Sequence, residues 1–157
     1  VYSLRNIETI AWTTLIFAII LYIADKSRFD KKISTNLNLQ SILFIGVMQI
    51  LSLIPGVSRA GVTITAARIL KFNRVDSSKI SFLLSIPALT GASVLSLKDI
   101  FNQPTEFSYL VIIAIIFSFI FSFLTVKYFL IFINKFSMSA FVIYRIIIAL
   151  FLFSLIY

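Results

Sequence analysis

The sequence has 157 residues, of which 60% are hydrophobic and 15% aromatic, and its formal net charge is +8. Soluble globular domains are about 45–50% apolar, so this composition excludes a soluble domain and predicts an integral membrane protein. Because the sequence has neither cysteine nor histidine, disulfides, thiolate metal sites and imidazole bases or ligands are excluded as well.

We predict an all-α membrane protein, a single domain over residues 1–157 that forms a multi-span helical bundle. The first apolar segment, at about 7–24, is long enough to cross a bilayer, and a basic loop at 25–36 follows it. Basic residues cluster in such short loops, which indicates membrane topology and argues against a nucleic-acid partner. The sequence begins at Val1, and no signal peptide is evident.

The next two apolar segments are short. The second covers about 37–54 and ends at the helix-breaking pair Pro55-Gly56. The third, at about 59–72, would span only about 21 Å as a helix, against a bilayer core of about 30 Å. Short helices joined by a Pro-Gly turn favour a re-entrant helix-loop-helix hairpin over about 37–72. The alternative is two full spans with the turn at the far membrane surface.

A second basic loop is predicted at 71–79, and an apolar segment at 80–97 follows it. Pro87 within this segment indicates a kinked helix that packs closely against a neighbour, or else a second wall of the functional site. A polar loop and two segments rich in Ile and Phe complete the chain, at 98–107, 108–133 and 139–157.

Loop charges predict the orientation. The basic loops at 25–36 and 71–79 lie on one side whether the hairpin returns or spans twice, and basic loops are usually cytoplasmic. The loop at 98–107 carries one lysine against two acids and is assigned to the other side. Lys135 is then inside and Tyr157 outside.

Residues 55–63, Pro-Gly-Val-Ser-Arg-Ala-Gly-Val-Thr, combine a breaker, glycines, hydroxyls and a guanidinium within apolar sequence. Gly56 lets the backbone turn, and Ser58 is placed to cap the third helix. The freed amides of the first turn carry the positive end of the helix dipole, which makes a ready anion site. Gly61 allows a ligand to approach the backbone closely.

Arg59 and Thr63 are four residues apart and share a helix face. An arginine fork, a hydroxyl and free amides together suit a phosphate. All six acids lie in loops or at the ends of apolar segments, so Arg59 is expected to pair with a phosphoryl ligand or with an acidic partner outside this chain. The alternative is a structural arginine that snorkels or binds a carbonyl.

Four other polar residues lie in or near apolar segments. Gln49 and Ser52 precede the turn, and they either line the same cavity or tie helices together. Arg68 is nearer the basic loop and is expected to snorkel toward it. Arg145 follows a tyrosine in the last segment and is expected to anchor that segment at the membrane interface, the alternative being that it reaches inward.

The sequence resembles the undecaprenyl-diphosphate phosphatase family of bacteria, the bacitracin-resistance type. The family signature Pro-Gly-x-Ser-Arg-Ser-Gly-x-Thr stands here at 55–63, with Ala60 in place of the second serine. Gln49, Phe-Leu-Leu-Ser-Ile-Pro at 82–87 and Ala-Phe-Val-Ile-Tyr-Arg at 140–145 also look like the family. The resemblance covers essentially the whole chain.

The resemblance implies a multi-pass enzyme of the bacterial cytoplasmic membrane that removes one phosphate from a polyprenyl diphosphate lipid and so recycles the carrier for peptidoglycan precursors. It implies inverted repeats with re-entrant hairpins and an active site open to the periplasmic side. It also implies that Ser58 and Arg59 act on the diphosphate as catalytic residues. Gly56, Gly61, Thr63 and Gln49 complete the expected substrate-binding set.

The chain departs from the family pattern in lacking its earlier acidic motif, a Pro-Val-Ser-Ser sequence and a histidine. It therefore matches only the second half of the family. We expect the chain to supply the phosphate-binding half, without a metal or cofactor of its own. The interpretation is the C-terminal part of such an enzyme, and the alternatives are a fragment, a split gene whose N-terminal half is a separate polypeptide, or a decayed gene. A divalent cation belongs, where one is used, to the complete enzyme. The alternatives are a transporter or lipid flippase with a broken-helix anion site, or an inactive remnant.

Overall fold

The computed structural model describes residues 6–26, 29–101 and 109–156, with the backbone alone for 98–101. The described residues form seven α-helices, and their one β-type pairing is an isolated bridge. The predicted all-α fold is confirmed. The helices are α1 Ile7–Asp25, α2 Ile33–Asn36, α3 Leu39–Gln49, α4 Arg59–Ile69, α5 Arg74–Phe101, α6 Tyr109–Lys135 and α7 Ser139–Ser154, and a 3₁₀ segment, Ile50–Leu53, follows α3.

Within the described parts of the chain, three helices are long and apolar enough to cross a membrane: Ile7–Asp25, Arg74–Leu97 and Tyr109–Lys135. The most apolar stretch of α6 has no buried residue, so its Ile and Phe side chains face outward, where lipid would surround them. Shorter apolar helices lie at Leu39–Leu53 and Ser139–Ser154. The chain is a multi-pass membrane protein.

Two predicted loops are shorter than expected. Residues 71–79 were predicted as a loop, yet α5 already begins at Arg74 because the Asn73 side chain caps it, accepting from the Asp76 amide at 2.8 Å. Only a tight turn remains between α4 and α5, with Lys71 at a φ of 72°. The predicted loop at 98–107 is wrong at its start, where α5 continues to Phe101, and its remainder lies outside the described residues.

Helix α4 lies at the centre of the packing and contacts α1, α3 and α5. Its seven residues from Val62 to Arg68 are all buried. Ile64 packs on one side with Ala18 and Leu21 of α1, and Ala67 packs on the other with Ile45 of α3. Small side chains let the neighbouring helices approach closely, which is how helices associate in membranes.

Helices α1 and α7 pack side by side and run antiparallel. At one end the Met138 amide, just before α7, donates to a carboxylate oxygen of Asp25 at 3.0 Å. At the other end the rings of Trp12 and Phe153 meet edge to face at 5.1 Å. The N-terminal half of α1 and the C-terminal half of α7 therefore lie at the same level.

Asp25 joins α1 to α4 and α5 at the end of the bundle that carries the basic residues of 26, 31–32 and 71–79, which we call the basic end. Its Oδ1 accepts from Nε of Arg74 at 2.8 Å and lies 3.3 Å from Nε of Arg68. Arg68 is 1% exposed and also donates to the Phe72 carbonyl at 2.8 Å. The prediction that Arg68 snorkels is therefore wrong, because a buried carboxylate from another helix holds its guanidinium inside.

The chain segments that enter and leave the α3–α4 pair are joined by backbone hydrogen bonds. The Lys31 amide donates to the Lys71 carbonyl at 3.3 Å, and the Asn73 amide donates to the Lys31 carbonyl at 3.0 Å. These bonds form the isolated bridge between Lys31 and Phe72. The α3–α4 pair therefore has both of its ends at the basic end and its turn, residues 54–58, away from it.

Candidate functional site

The turn between α3 and α4 depends on a glycine. Gly56 has a φ of +87°, in the left-handed region that side chains disfavour. A Cβ atom there would lie 2.7 Å from the Ile10 carbonyl oxygen and would overlap the Thr13 hydroxyl. The predicted sharp turn at Gly56 is confirmed, and its cause includes close contact with α1.

Ser58 caps α4, as its position in the sequence predicts. Its Oγ accepts from the Gly61 amide at 3.2 Å, and its carbonyl accepts from the Val62 amide at 2.9 Å. The amides of Arg59 and Ala60 precede the first intrahelical bond and lie at the positive end of the helix dipole. This helix end can bind an anion.

Side chains from the first and last described helices hold the turn. Thr13 Oγ1 donates to the Pro55 carbonyl at 2.7 Å, and Thr14 Oγ1 donates to the Gly56 carbonyl at 3.3 Å. Arg145 Nη2 donates to the same Gly56 carbonyl at 3.0 Å. The turn is thus fixed by α1 on one side and by α7 on the other.

Arg145 was predicted to be an interfacial anchor, and that prediction is wrong. The residue is 9% exposed, and its guanidinium lies against Gly61. A side chain at position 61 would crowd it, since a Cβ atom there would lie 2.8 Å from Nη1. Within the described residues its Nε is buried without a hydrogen-bond partner. The signal was present in the sequence, since Arg145, like Arg59, lies in an apolar segment that offers no acid.

Two cavities flank the turn. The rear cavity, of about 530 Å³, lies between the turn, α1, α6 and α7. The front groove, of about 430 Å³, lies between the turn and α5. Val57 and Ala60 line both, so the wall between the cavities is the turn itself with the first residues of α4.

The two cavities differ in their polar groups. The rear cavity presents Ser58, Thr14 and Arg145 against a largely apolar surround that includes Phe129 and Phe141. The front groove presents the exposed Arg59 beside hydroxyl groups. Those hydroxyls belong to Ser52, Ser81 and Ser85.

The predicted binding residues therefore separate. Gly56, Ser58 and Gly61 line the rear cavity, whereas Arg59 lines the front groove. Of the two residues that were expected either to line the site or to tie helices, Ser52 lines the front groove.

Thr63 and Gln49 line neither cavity. Thr63 is fully buried, its Oγ1 lies 2.7 Å from Oγ of Ser81, and it donates to the Arg59 carbonyl at 3.0 Å. The last bond is a local contact with the backbone of α4, and a shared helix face of the Arg59 and Thr63 side chains stays a prediction. Gln49 ends α3, and its Oε1 is buried without a hydrogen-bond partner among the described residues. Contact of either residue with a substrate stays a prediction.

The described charged side chains that line the two cavities are all positive. Neither cavity has an Asp or Glu in its described lining, although each contains a guanidinium. Within the described residues no group of three or more carboxylates is placed to hold a metal ion. The residues present do not fit a metal, but they do fit an anion that offers several acceptor oxygens.

The fold and the turn define a multi-pass helical membrane protein with a cationic site at the turn between two short helices, α3 and α4. The family model described as bacitracin resistance protein BacA matches residues 2–151. The chain belongs to this family.

Curated relatives agree with the family match. The chain is similar to the undecaprenyl-diphosphatase of Pelagibacter ubique (strain HTCC1062), with 68% identity over 153 residues, 98% of this chain and 60% of the relative. It is similar to the undecaprenyl-diphosphatase of Elusimicrobium minutum (strain Pei191), with 44% identity over 142 residues, 90% of this chain and 54% of the relative. The chain therefore spans between 54% and 60% of the length of these relatives.

Proposed function

We propose that the protein hydrolyses undecaprenyl diphosphate to undecaprenyl phosphate and phosphate, and so recycles the lipid carrier of peptidoglycan synthesis in the bacterial cytoplasmic membrane. This chain contributes the phosphate-binding half of the site. The observation that carries the proposal is the pair of guanidiniums, Arg59 and Arg145, on opposite sides of a capped helix start with no carboxylate in the described lining. The names of the relatives supply the substrate.

Each group has a defined role in this proposal. Arg59 binds the terminal phosphate through its fork, and the amides at the start of α4 bind a second oxygen. These groups stabilise the charge that develops as water attacks phosphorus and the bond to the bridging oxygen breaks. Ser58 caps the start of α4, and its side chain lines the rear cavity, where its hydroxyl can contact the substrate.

The proton acceptor for the attacking water has to come from elsewhere, because the chain has no histidine and neither cavity has a carboxylate in its described lining. We propose that this proton acceptor lies in a region equivalent to the part of the relatives that this chain does not cover. That region belongs either to a longer form of this polypeptide or to a separate polypeptide. A divalent cation, where the complete enzyme uses one, would be bound by that region too. The chain itself contributes binding and charge stabilisation.

We further propose that residues 37–72 form a re-entrant hairpin from the cytoplasmic side. The support is length: α4 has 11 residues, about 16 Å, and α3 with its 3₁₀ segment, Leu39–Leu53, is also shorter than the roughly 20 residues of a usual span. These 157 residues include no cysteine, so Ser58→Cys gives them a single site for a fluorophore. Stronger quenching by mid-chain than by headgroup spin-labelled lipids is expected, and the reverse order would indicate two full spans.

The test of activity is phosphate release from undecaprenyl diphosphate by the purified full-length protein. Arg59→Ala is expected to lower kcat/KM by about a hundredfold or more, and Arg59→Lys by less, because lysine keeps the charge and loses the fork. Lys127→Ala removes an exposed cation of α6 that lines neither cavity and serves as the control. Unchanged activity in Arg59→Ala, or lipid movement across liposomes without phosphate release, would overturn the proposal.

A further inference from the structure

The outer surface of α6 and α7 carries a third cavity. This aromatic groove, of about 470 Å³, opens on the outside of the helix bundle, on the surface that lipid would contact. Its lining includes Phe121, Thr125 and Phe132 of α6 and Phe141 of α7. Apart from the Thr125 and Tyr128 hydroxyls, its described lining is hydrocarbon.

The aromatic groove and the rear cavity share two residues. Phe129 and Phe141 line both, and their ring centroids are 5.2 Å apart. Both side chains are only partly buried. The pair is therefore the partition between the outer surface of the bundle and the cavity behind the turn.

The rear cavity suits a ligand with two unlike ends. Its polar end holds the Arg145 guanidinium, which is nine-tenths buried and, within the described residues, has its Nε unpartnered. Its walls toward the partition are apolar, with Leu21, Ile64 and Phe129. A buried cation without a protein counter-ion favours an anionic group, and the apolar walls favour a hydrocarbon chain attached to it.

We propose that the polyprenyl chain of the lipid substrate lies in the aromatic groove and crosses the partition at Phe129 and Phe141, whose touching rings have to move apart, into the rear cavity, where Arg145 binds the phosphate nearest the chain. This inference rests on the proposed function. The lipid reaches the site sideways from the bilayer.

Chain length distinguishes this path from a general packing role. Thr125→Trp fills the aromatic groove from an exposed position on α6, so the fold tolerates it. We expect KM for undecaprenyl diphosphate to rise about fivefold or more. An indole in the groove would compete with the polyprenyl chain for space, and overpacking costs about 1 kcal/mol or more, which corresponds to about that factor in affinity. KM for farnesyl diphosphate, which has the same head group and a short chain, is expected to stay unchanged. Ser118→Trp, two helical turns away on the same face, is the matched control.

A second measurement does not depend on turnover. The photoreactive residue p-benzoylphenylalanine, placed at Thr125 and separately at Ser118, is irradiated with bound undecaprenyl diphosphate. Crosslinking at position 125 and its absence at position 118 are expected. Equal KM changes for both substrates, or equal crosslinking at both positions, would overturn the lateral path. Crosslinking at position 125 in a protein that releases no phosphate would keep the lipid path and reject the hydrolase.

Discussion

The Arg145 guanidinium and the Gly56 carbonyl, 89 residues apart in sequence, are joined by a hydrogen bond of 3.0 Å. This bond links α7 to the one residue of the turn that has a positive φ. Thr14 donates to the same carbonyl from α1. The conformation of the signature sequence thus depends on two helices that lie outside it.

Replacement of Arg145 by lysine is expected to lower kcat/KM for undecaprenyl diphosphate by roughly 10- to 150-fold, the range for a lost hydrogen bond to a charged group. Lysine carries all its donors on one nitrogen, so it cannot place one nitrogen at the Gly56 carbonyl and another in the rear cavity as the guanidinium fork does. Steady-state kinetics of phosphate release measure the effect. The control is Lys127→Arg, the reverse exchange on the exposed face of α6. Wild-type kinetics in Arg145→Lys would show that the guanidinium does not act on the site.

Gly56→Ala is expected to destabilise the protein by about 2 kcal/mol or more, because a left-handed alanine costs about 1–2 kcal/mol and its Cβ would collide with α1. Gly46→Ala is the matched comparison, since a Cβ there meets nothing within 4 Å. That change is expected to be neutral or to stabilise α3 by up to about 1 kcal/mol. Thermal unfolding in detergent measures both variants, and similar melting temperatures for the two would contradict the close contact at Gly56.

Ser58 has a capping role and a proposed chemical role, and two substitutions separate them. Ser58→Ala removes the cap and is expected to cost about 1 kcal/mol of stability. Ser58→Asn keeps a capping oxygen and is expected to restore the stability but not the phosphatase activity. Paired measurements of melting temperature and kcat/KM decide the question. Recovery of activity in Ser58→Asn would leave Ser58 with capping alone.

Asp25→Asn is expected to destabilise the protein by about 3–5 kcal/mol, because it leaves the buried Arg68 without its carboxylate. Arg74 loses the same partner but is better exposed, with 31% of its side chain accessible. Asp30→Asn makes the same chemical change on an exposed residue and is expected to shift stability by less than about 0.5 kcal/mol. Equal unfolding midpoints for the two variants would refute the structural role of Asp25.

The parts of the fold that follow from local sequence were predictable. Segment length and hydrophobicity predicted the spans at α1 and α6, and the Pro-Gly pair with Ser58 predicted the turn and the cap. The start of α5 was not predicted, because its charged first turn has the composition of a loop. It is helical because the Asn73 cap, and the pairing of Arg74 with a carboxylate 49 residues earlier, stabilise it.

The arginines show where sequence reasoning fails at the candidate site. Arg68 and Arg145 were both assigned to the membrane interface, although both are buried. Their partners are Asp25 and the Gly56 carbonyl, which are distant in sequence, and backbone carbonyls carry no sequence signature. The division of the signature between two cavities was equally inaccessible, since it depends on which helices flank the turn.

The bond between Gly56 and Arg145 also bears on how the protein is made. The turn is synthesised long before α7, so during translation the hairpin has its base bridge and its α1 contacts but lacks the guanidinium that completes its support. The site therefore becomes whole only when the last described helix is inserted. A chain truncated before Ser139 would retain the hairpin with an incompletely held turn, and faster proteolysis at the turn would report the difference.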